Sequence, residues 1–281
     1  RHAWRPNGRH PGYILDGFSR ERGLLTECIQ EAAPDLVHAH WTYEFALAAL
    51  QTGLPCLVTC HDDPWAVLRY TRSPYRALRM LMALKVFRKA RNLTAVSSYL
   101  ADAVSRYTPE SVAVVPNPLA DYVLATGRVR DRTETRKLCM VCNGWDGRKT
   151  PKPAMRAFAA FRVTTPGAEL HLFGRGFGAG EAAETWARRT GIEAGMCFHG
   201  GLPHRELIRD LSALDLLLHP ALEESFGVGV AEAMALGLPI VAGRASGAVP
   251  WVVGAQNGLN GPLPGVLADV SRPDAILAAI T

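Results

Sequence analysis

The sequence lacks an apolar run long enough to cross a bilayer, and it opens without the charged, apolar and small-residue segments of a cleavable signal peptide. It begins with Arg1 rather than Met and ends at Thr281 inside a predicted helix, so we expect a fragment shortened at both ends. Its basic runs are not interleaved with aromatic residues that would stack on bases, which argues against nucleic-acid binding. We therefore expect a cytoplasmic protein, working there or at the inner face of the plasma membrane.

Cysteines are few and scattered, which excludes a disulfide framework and favours reduced thiols. The six are Cys28, Cys56, Cys60, Cys139, Cys142 and Cys197. Cys139 and Cys142 form a C-x-x-C pattern inside "KLCMVCNG", which reads as a buried strand, and strand residues three apart point to opposite faces. His38 and His40 in "VHAH" are interpreted as structural. The sequence therefore predicts no metal site, no redox site and no cofactor.

The composition is that of a globular protein, with 48% hydrophobic and 20% charged residues in 281 positions. That length favours two domains. The net charge is +5, and much of the excess lies in "RYTRSPYRALRMLMALKVFRKAR", residues 69–91. This segment is either an amphipathic helix with a solvated basic face or a surface that contacts an anionic membrane or a phosphorylated acceptor.

Short apolar strands alternate with helical patterns in two runs, separated by the turn-rich and charged residues 119–136. The strands lack period-two alternation, as expected for parallel strands covered on both faces. The sequence therefore predicts an α/β protein with two Rossmann-like doubly wound domains, residues 1–118 and 137–281, facing each other across a cleft. Ligands of such sheets bind beyond the carboxyl ends of the strands.

The stretch "HPALEESFGVGVAEAMALGLPIVAG" carries acids in a segment that otherwise reads as buried. It predicts a strand ending at Pro220, a loop, and a helix from about Phe226 to Leu236. Glu224 precedes that helix and Glu232 lies inside it. Because helical side chains tilt toward the N-terminus, both carboxylates reach the space in front of the helix. The unpaired amides there favour a phosphate, and carboxylates beside it favour the hydroxyls of sugars.

Two interpretations of these acids compete. Glutamates early in a helix commonly stabilise its dipole, which accounts for Glu224 better than for Glu232. Glu223 is assigned to solvent or to capping.

The same stretch resembles the E-x7-E signature of retaining glycosyltransferases of family four, which have the GT-B fold. "PDLVHAHW", "LVTCHDDP", "LTAVSSYLAD" and "VAVVPNPL" resemble further landmarks of that family. The resemblance implies that Glu224 contacts the donor sugar and Glu232 the ribose of the nucleotide. It places the diphosphate against the backbone of Ser225, Phe226, Gly227 and Val228.

Further site residues follow from the same resemblance. In "VCNGWDGRKTPKPAMRAF", Arg148 and Lys149 correspond to the cations that stabilise the leaving diphosphate, although Trp145 departs from the commonest form. Leu202 in "FHGGLPHREL" is the expected contact of the base. His61 in "TCHDDP" is expected near the donor sugar and acceptor, with a purely structural role as the alternative.

The glycines of "FGRGFGAG" admit a different hypothesis, a dinucleotide site after a strand and before a helix. Their G-x-G-x-G spacing is not the G-x-G-x-x-G form, and no acid follows at the required distance. In the transferase interpretation this turn lies near the donor phosphates, and Arg175 contributes there.

The function implied is retaining transfer of a sugar from a UDP-, GDP- or other nucleoside diphosphate sugar to a hydroxyl acceptor, in bacterial glycan or glycolipid synthesis. The acceptor is a glycan, a lipid-linked molecule or a small molecule, and neither metal nor covalent nucleophile is expected. Two alternatives stay open. One is a nucleotide-sugar epimerase or phosphorylase on the same fold. The other is an inactive nucleotide-binding fragment, because the glycine-rich first strand and the closing helix of the fold are not found.

Overall fold

The computed structural model describes residues 16–127, 136–145, 147–256 and 262–281. The chain divides into two compact units, Arg1–Pro116 and Asn117–Thr281. In both units the strands are parallel and are joined through helices, as the alternating sequence pattern predicts.

The described part of the first unit contains a four-stranded sheet in the order β1-β2-β3-β4. Its elements are α1 (Ser19–Ala32), β1 (Val37–His40), α2 (Glu44–Gln51), β2 (Cys56–Cys60), α3 (Pro64–Tyr70), α4 (Pro74–Lys89), β3 (Asn92–Ala95), α5 (Ser98–Val104) and β4 (Val112–Val114). Adjacent strands pair in register, for example Ala39 with Val58, and Val58 with Leu93. The core of this unit includes the fully buried Tyr43, Phe87 and Leu100.

The basic segment is not one helix, as the sequence predicted, but parts of two. Residues 71–73 separate α3 from α4, because Ser73 caps α4 through the amide of Arg76 and Pro74 occupies the first helical position. Its basic face is also only partly solvated. The side chain of Arg79 is only 12% exposed and forms a 3.0 Å ion pair with Glu44. Its guanidinium carbon lies 3.6 Å from the centre of the Tyr43 ring.

The described part of the second unit contains a six-stranded sheet in the order β10-β9-β8-β5-β6-β7. Its elements are α6 (Asp121–Thr126), β5 (Lys137–Val141), α7 (Pro151–Thr164), β6 (Glu169–Phe173), α8 (Ala182–Thr190), β7 (Met196–Gly200), α9 (His204–Leu211), β8 (Leu216–His219), α10 (Val228–Ala235), β9 (Ile240–Gly243), α11 (Val249–Val252), β10 (Gly265–Ala268) and α12 (Pro273–Ile280). The first strand of this unit lies in the middle of the sheet, which is the Rossmann order.

Two apolar clusters cover the two faces of this sheet, and β8 and β9 are buried at every residue. Successive β5 residues enter different clusters, so that Cys139 packs in one and Cys142 in the other. The predicted separation of these two cysteines onto opposite faces is confirmed.

The predicted linker, residues 119–136, contains helix α6 in its first part. This helix packs against α9 and α10, and its Val123 is fully buried in the same cluster as Cys139. The helix therefore belongs to the second unit. Residues 128–135 of the predicted linker lie outside the described residues.

Candidate functional site

The site is set by the point where the strand order of the second unit reverses. Strands β5 and β8 are neighbours in the sheet, and their chains leave toward opposite edges, β5 toward β6 and β8 toward β9. Open α/β sheets bind ligands at the carboxyl ends of their strands at such a reversal point, so the loops that follow β5 and β8 form the candidate site. Residues 142–150 follow β5 and residues 220–227 follow β8.

Two cations from the loop after β5 face two acids from the loop after β8. The guanidinium of Arg148 donates to Glu223 Oε2 at 3.1 Å, and the ammonium of Lys149 donates to Glu224 Oε1. The four side chains are 24% exposed or less. The structure thus brings together three of the predicted catalytic residues, Arg148, Lys149 and Glu224.

Glu223 is not an acid of the solvent or of a helix cap, as the sequence interpretation had it. Its side chain is only 5% exposed and is paired with Arg148. It also accepts a long hydrogen bond, 3.5 Å, from the hydroxyl of Ser225. A buried carboxylate requires such partners, because an unpaired charge loses its hydration without compensation.

Glu224 is strongly held in its ionised form. Burial of the carboxyl favours protonation, but the imidazole of His219 and the ammonium of Lys149 outweigh it and lower the pKa of Glu224 to about 2. His219 Nε2 lies 3.4 Å from Glu224 Oε1, and His219 itself is buried at the end of β8. Glu224 is therefore a charged acceptor for hydroxyl donors throughout the neutral range.

Hydrogen bonds fix the two loops to each other and to a third. The amide of Leu222 donates to the carbonyl of Arg148 at 2.8 Å, and the hydroxyl of Thr150 donates to the carbonyl of Pro220. From the loop after β9, the amide of Ala248 donates to the carbonyl of Glu224 at 2.8 Å. These hydrogen bonds hold the two loops together independently of the ion pairs between their charged side chains.

Helix α10 begins beside these acids. Gly227 precedes it with φ of 90°, a conformation that favours glycine, and it supplies no side-chain cap to the first amides of the helix. Ser225 and Phe226 are buried before it, and the Phe226 ring packs edge-on against Trp251 at 6.4 Å between centres. Val228, the first helical residue, is exposed.

Glu232 lies one turn further along α10 and has a partner that the sequence interpretation missed. Its Oε1 is 2.6 Å from Nε2 of His204, the first residue of α9, and the hydroxyl of Tyr122 in α6 contacts Nδ1 of the same imidazole. The Glu232 side chain is 9% exposed. Leu202, the predicted base contact, is partly buried in the loop that leads to His204.

Backbone amides of the glycine-rich turn after β6 donate hydrogen bonds to a side chain of the same turn. Glu181 Oε2 accepts from the amides of Gly176 at 2.9 Å and Gly178 at 2.6 Å, so these two amides already have a carboxylate partner within the turn. Arg175 is exposed in this turn, and its amide donates to Asn143 Oδ1 of the loop after β5. The turn is therefore joined by a hydrogen bond to the loop after β5, which belongs to the candidate site.

Trp145, which departs from the motif expected from the sequence resemblance, packs against other aromatic rings in the structure. Its ring lies 5.7 Å from Phe177 and 5.8 Å from Trp186, with the ammonium of Lys152 5.5 Å from its centre. Trp145 is therefore a partly buried residue that packs against the core, and Arg148 and Lys149 supply the positive charge of the loop.

His61, in the first unit, follows strand β2 and joins two other imidazoles. Its Nε2 is 2.8 Å from His40 Nδ1, and the His38 ring lies 4.3 Å from the His40 ring. Burial, then the neighbouring His40 and His38, lower the pKa of His61 below its ordinary value. His38 also contacts the hydroxyl of Thr59 at 2.7 Å. The catalytic role of His61 stays a prediction.

The buried Tyr43 hydroxyl lies 2.8 Å from both carboxylate oxygens of Asp62, the residue beside His61, and donates its single hydrogen to that carboxylate. Within the described ranges, no group of three or more His, Cys, Asp or Glu side chains is arranged to hold a metal ion. In the same part of the chain, no helix is both long and apolar enough to cross a membrane.

The residues that the sequence interpretation missed are His219 and His204. His219 ends a buried strand whose other residues are leucines, so only its place at the strand end could have indicated a role in the site. Nothing in the sequence indicated that it lies beside Glu224. His204 lies 28 residues before Glu232 and meets it only because α9 and α10 flank the same sheet. Contacts of this kind, between residues far apart in the sequence, cannot be predicted from the local pattern of apolar and polar residues.

Comparison with solved structures identifies the class of fold. Sucrose-phosphate synthase from Thermosynechococcus elongatus matches with a TM-score of 0.77 at 16% identity, over 98% of this chain and 71% of that one. The Anabaena protein HepE in complex with UDP-glucose matches with a TM-score of 0.70 at 18% identity, over 95% and 72%. The chain has the GT-B fold of these glycosyltransferase structures, as the sequence resemblance predicted.

Comparison of sequences identifies the family. Residues 129–281 match the family model of glycosyl transferases group 1, and residues 2–120 match that of glycosyltransferase family 4. The chain therefore belongs to the glycosyl transferases group 1 family.

Curated relatives share about a quarter to a third of their residues with this chain. The 2-deoxystreptamine N-acetyl-D-glucosaminyltransferase of Streptomyces fradiae is 29% identical over 82% of this chain, and the D-inositol 3-phosphate glycosyltransferase of Segniliparus rotundus is 26% identical over 92%. Each match covers 60% of the relative. The chain thus spans about three fifths of the length of these relatives.

Proposed function

We propose that this chain carries the donor-binding and catalytic machinery of a retaining glycosyltransferase, which moves a sugar from a nucleoside diphosphate sugar to a hydroxyl acceptor in bacterial glycan or glycolipid synthesis. One observation carries the proposal. Arg148 and Lys149 face Glu223 and Glu224 at the strand reversal of the second unit, directly before the N-terminus of α10. Membership of the glycosyl transferases group 1 family supports it.

Donor binding exchanges the partners of these charges. The ammonium of Lys149 and the guanidinium of Arg148 turn from the acids to the diphosphate, whose charge is also stabilised by the first amides of α10. Glu224 is then released from Lys149 and accepts the hydroxyls of the donor sugar. Because His219 remains beside it, Glu224 stays ionised during the exchange.

The chemical step breaks the bond between the anomeric carbon and the diphosphate oxygen. The acceptor oxygen bonds to the same carbon from the same face, and its proton passes to a phosphate oxygen of the leaving group. No protein nucleophile takes part. The contribution of Arg148, Lys149 and the helix amides is to stabilise the negative charge that grows on the diphosphate, which is the largest single term in many such reactions.

The donor carries a ribose that Glu232 binds through its hydroxyls, and a base that contacts Leu202. UDP-glucose is the first donor to test, because the structure of HepE, which is 18% identical to this chain, was solved in complex with it. We infer that catalysis needs no metal ion. Activity that is abolished by EDTA and restored by a divalent cation contradicts that inference.

The acceptor is a hydroxyl compound, and small molecules are the class to screen first. This choice is favoured by the names of two relatives, which refer to 2-deoxystreptamine and D-inositol 3-phosphate. Glycan and lipid-linked acceptors follow in the same screen.

Product analysis with UDP- and GDP-sugars tests the proposal. We expect release of the nucleoside diphosphate only together with a glycoside whose anomeric configuration is retained. Conversion of the donor into another nucleotide sugar indicates an epimerase, and sugar 1-phosphate formed with inorganic phosphate indicates a phosphorylase. Binding of nucleotide without turnover of any donor indicates a nucleotide-binding fragment. Each of these three results contradicts the transferase proposal for this chain.

We also infer that the protein acts in the cytoplasm and that the basic segment, residues 69–91, contacts the inner face of the plasma membrane. The exposed cations Arg88 and Lys89 and the 53% exposed Leu81 on α4 support this inference. Co-sedimentation with vesicles of anionic phospholipid, but not with neutral vesicles, is the expected result. Equal recovery with both kinds of vesicle contradicts it.

A further inference from the structure

Three helices of the second unit meet in a hydrogen-bonded chain at the acid assigned to the ribose. Tyr122 comes from α6, His204 begins α9 and Glu232 lies in α10. His204 Nε2 is 2.6 Å from Glu232 Oε1, and the Tyr122 hydroxyl contacts His204 Nδ1. The Tyr122 and His204 rings meet edge to face, with centres 5.6 Å apart. This contact set is independent of the Lys149 and Glu224 pair.

The directions of these hydrogen bonds follow from the chemistry of the partners. A carboxylate only accepts, so the hydrogen between His204 and Glu232 resides on Nε2. In the neutral imidazole Nδ1 is then an acceptor, and the Tyr122 hydroxyl donates to it. Arg205 holds the donor in place, because its guanidinium lies 4.0 Å from the centre of the Tyr122 ring. The chain therefore selects one tautomer of His204.

We propose that His204 is a positioning residue for donor binding: held by Tyr122, it orients the Glu232 carboxylate toward the ribose hydroxyls of the nucleotide. The inference rests on the proposed function, since it takes Glu232 as the ribose acid. His204 occupies one oxygen of Glu232 and leaves the other to accept from the ligand. The Glu232 side chain is 9% exposed and that of His204 is 44% exposed, so the imidazole pairs with a carboxylate that is largely shielded from water.

Comparison of a nucleotide with its ribose-modified form tests the inference. UDP and GDP are titrated calorimetrically into the whole 281-residue chain, and the tighter ligand is compared with its 2′,3′-dideoxy analogue. We expect the wild-type chain to bind the natural nucleotide about ten- to a hundredfold more tightly, the worth of hydrogen bonds to a charged group.

The variants then assign that preference to single contacts. His204→Ala is expected to lose about tenfold in affinity for the natural nucleotide and to leave the dideoxy analogue unchanged. His204→Gln restores part of the loss, because its amide donates to Glu232. Tyr122→Phe shows a smaller loss of the same kind. His199→Ala serves as the matched control, since His199 is an exposed imidazole of the same unit that pairs with His171.

The outcomes separate the inference from the function on which it rests. If His204→Ala weakens both ligands equally, or weakens neither, the positioning role is wrong while the donor site stands. If Glu232→Ala leaves the preference for the natural nucleotide intact, or if the wild-type chain binds neither UDP nor GDP, the assignment of the donor site itself is wrong, and with it the inference.

A second readout needs no nucleotide. The nitrogen chemical shifts of the His204 ring report its tautomer, and we expect the hydrogen on Nε2 in the neutral ring of the wild-type chain. Tyr122→Phe is expected to mix the two tautomers. A ring that carries its hydrogen on Nδ1 in the wild-type chain overturns the proposed chain of hydrogen bonds.

Discussion

At the scale of single residues, the acids of the site differ in what neutralises them. Glu223 is paired with Arg148, Glu224 with Lys149 and His219, and Glu232 with His204. All three are therefore satisfied in the protein alone. Under the proposed function, the diphosphate replaces Glu223 and Glu224 as the partner of Arg148 and Lys149, whereas His219 and His204 keep their contacts with Glu224 and Glu232.

The depressed pKa of Glu224 predicts a loss of stability in acid. Its pKa is about 2 in the folded chain and 4.5 by its ordinary value, so the carboxylate stabilises the fold fully above about pH 4.5, and this contribution disappears as the pH falls toward 2. The free energy of unfolding of the wild-type chain should exceed that of Glu224→Gln near pH 6, and the difference should shrink steadily below pH 4.5. Chemical denaturation at a series of pH values measures it.

Glu193→Gln is the control for that series, because Glu193 is an exposed acid of the same unit. Its difference from the wild-type chain should stay small at every pH. A difference for Glu224→Gln that does not change between pH 6 and pH 3 contradicts the assigned pKa.

The sequence identified the residues that lie in one continuous motif and missed those that reach the site from elsewhere. Glu224, Gly227 and Glu232 stand in a single strand, loop and helix, and their spacing alone places two acids around a helix N-terminus. His204 and the buried pairing of Glu223 with Arg148 depend on which loops the sheet brings together. Strand order is a property of the whole unit, and spacing along the chain does not reveal it.

At the scale of the element, α10 is a short helix whose first amides donate no hydrogen bond to a capping side chain. Its two glycines have different roles. Gly227 has φ of 90°, which residues with a side chain rarely adopt, whereas Gly229 lies within the helix, and a Cβ there meets no atom within 4 Å. One glycine is thus required by the backbone, and the other is not.

Alanine at each glycine should therefore act in opposite directions. Gly227→Ala should lower the free energy of unfolding by roughly 1–2 kcal/mol through backbone strain, and Gly229→Ala should raise it by roughly 0.5–1 kcal/mol through helix propensity. Urea denaturation of both variants measures this. If a diphosphate lies against the first turn, Gly229→Ala also weakens UDP or GDP binding although it stabilises the fold. Equal destabilisation by both changes contradicts this account of the helix.

The sequence predicted most of the strands and helices as to type, but it did not predict where each of them begins and ends. Most strands of both units follow the predicted alternation of apolar strands and helices, because parallel strands that are buried on both faces are apolar throughout. The sequence analysis did not predict the helices α1, α3, α6 and α11 or the strand β10. Helix α6 lies among turn formers and charges, and it is stabilised chiefly by packing its Val123 against α9 and α10, a tertiary contact.

At the scale of the whole molecule, the position of α6 determines where the second unit begins. Val123 is fully buried, whereas its neighbour Leu124 is 59% exposed. Val123→Ala should lower the free energy of unfolding of the second unit by roughly 1–3 kcal/mol, and Leu124→Ala should change it by less than about 0.5 kcal/mol. Urea unfolding followed by tryptophan fluorescence reports on that unit when Trp4, Trp41 and Trp65 of the first unit are replaced by phenylalanine in every variant. Equal effects of the two substitutions indicate that α6 is only a tether.

The central claim is that the cations after β5 hold the diphosphate of a nucleotide sugar. Titration of UDP and GDP into Glu223→Gln and into the paired variant Arg148→Gln with Glu223→Gln tests it most directly, because the paired change removes the cation without leaving its buried partner charged. We expect Glu223→Gln to bind the nucleoside diphosphate at least as tightly as the wild-type chain. The paired variant should bind it at least about tenfold more weakly and should bind the monophosphate with little change. Diphosphate affinity that is the same in the paired variant and in Glu223→Gln would contradict the claim.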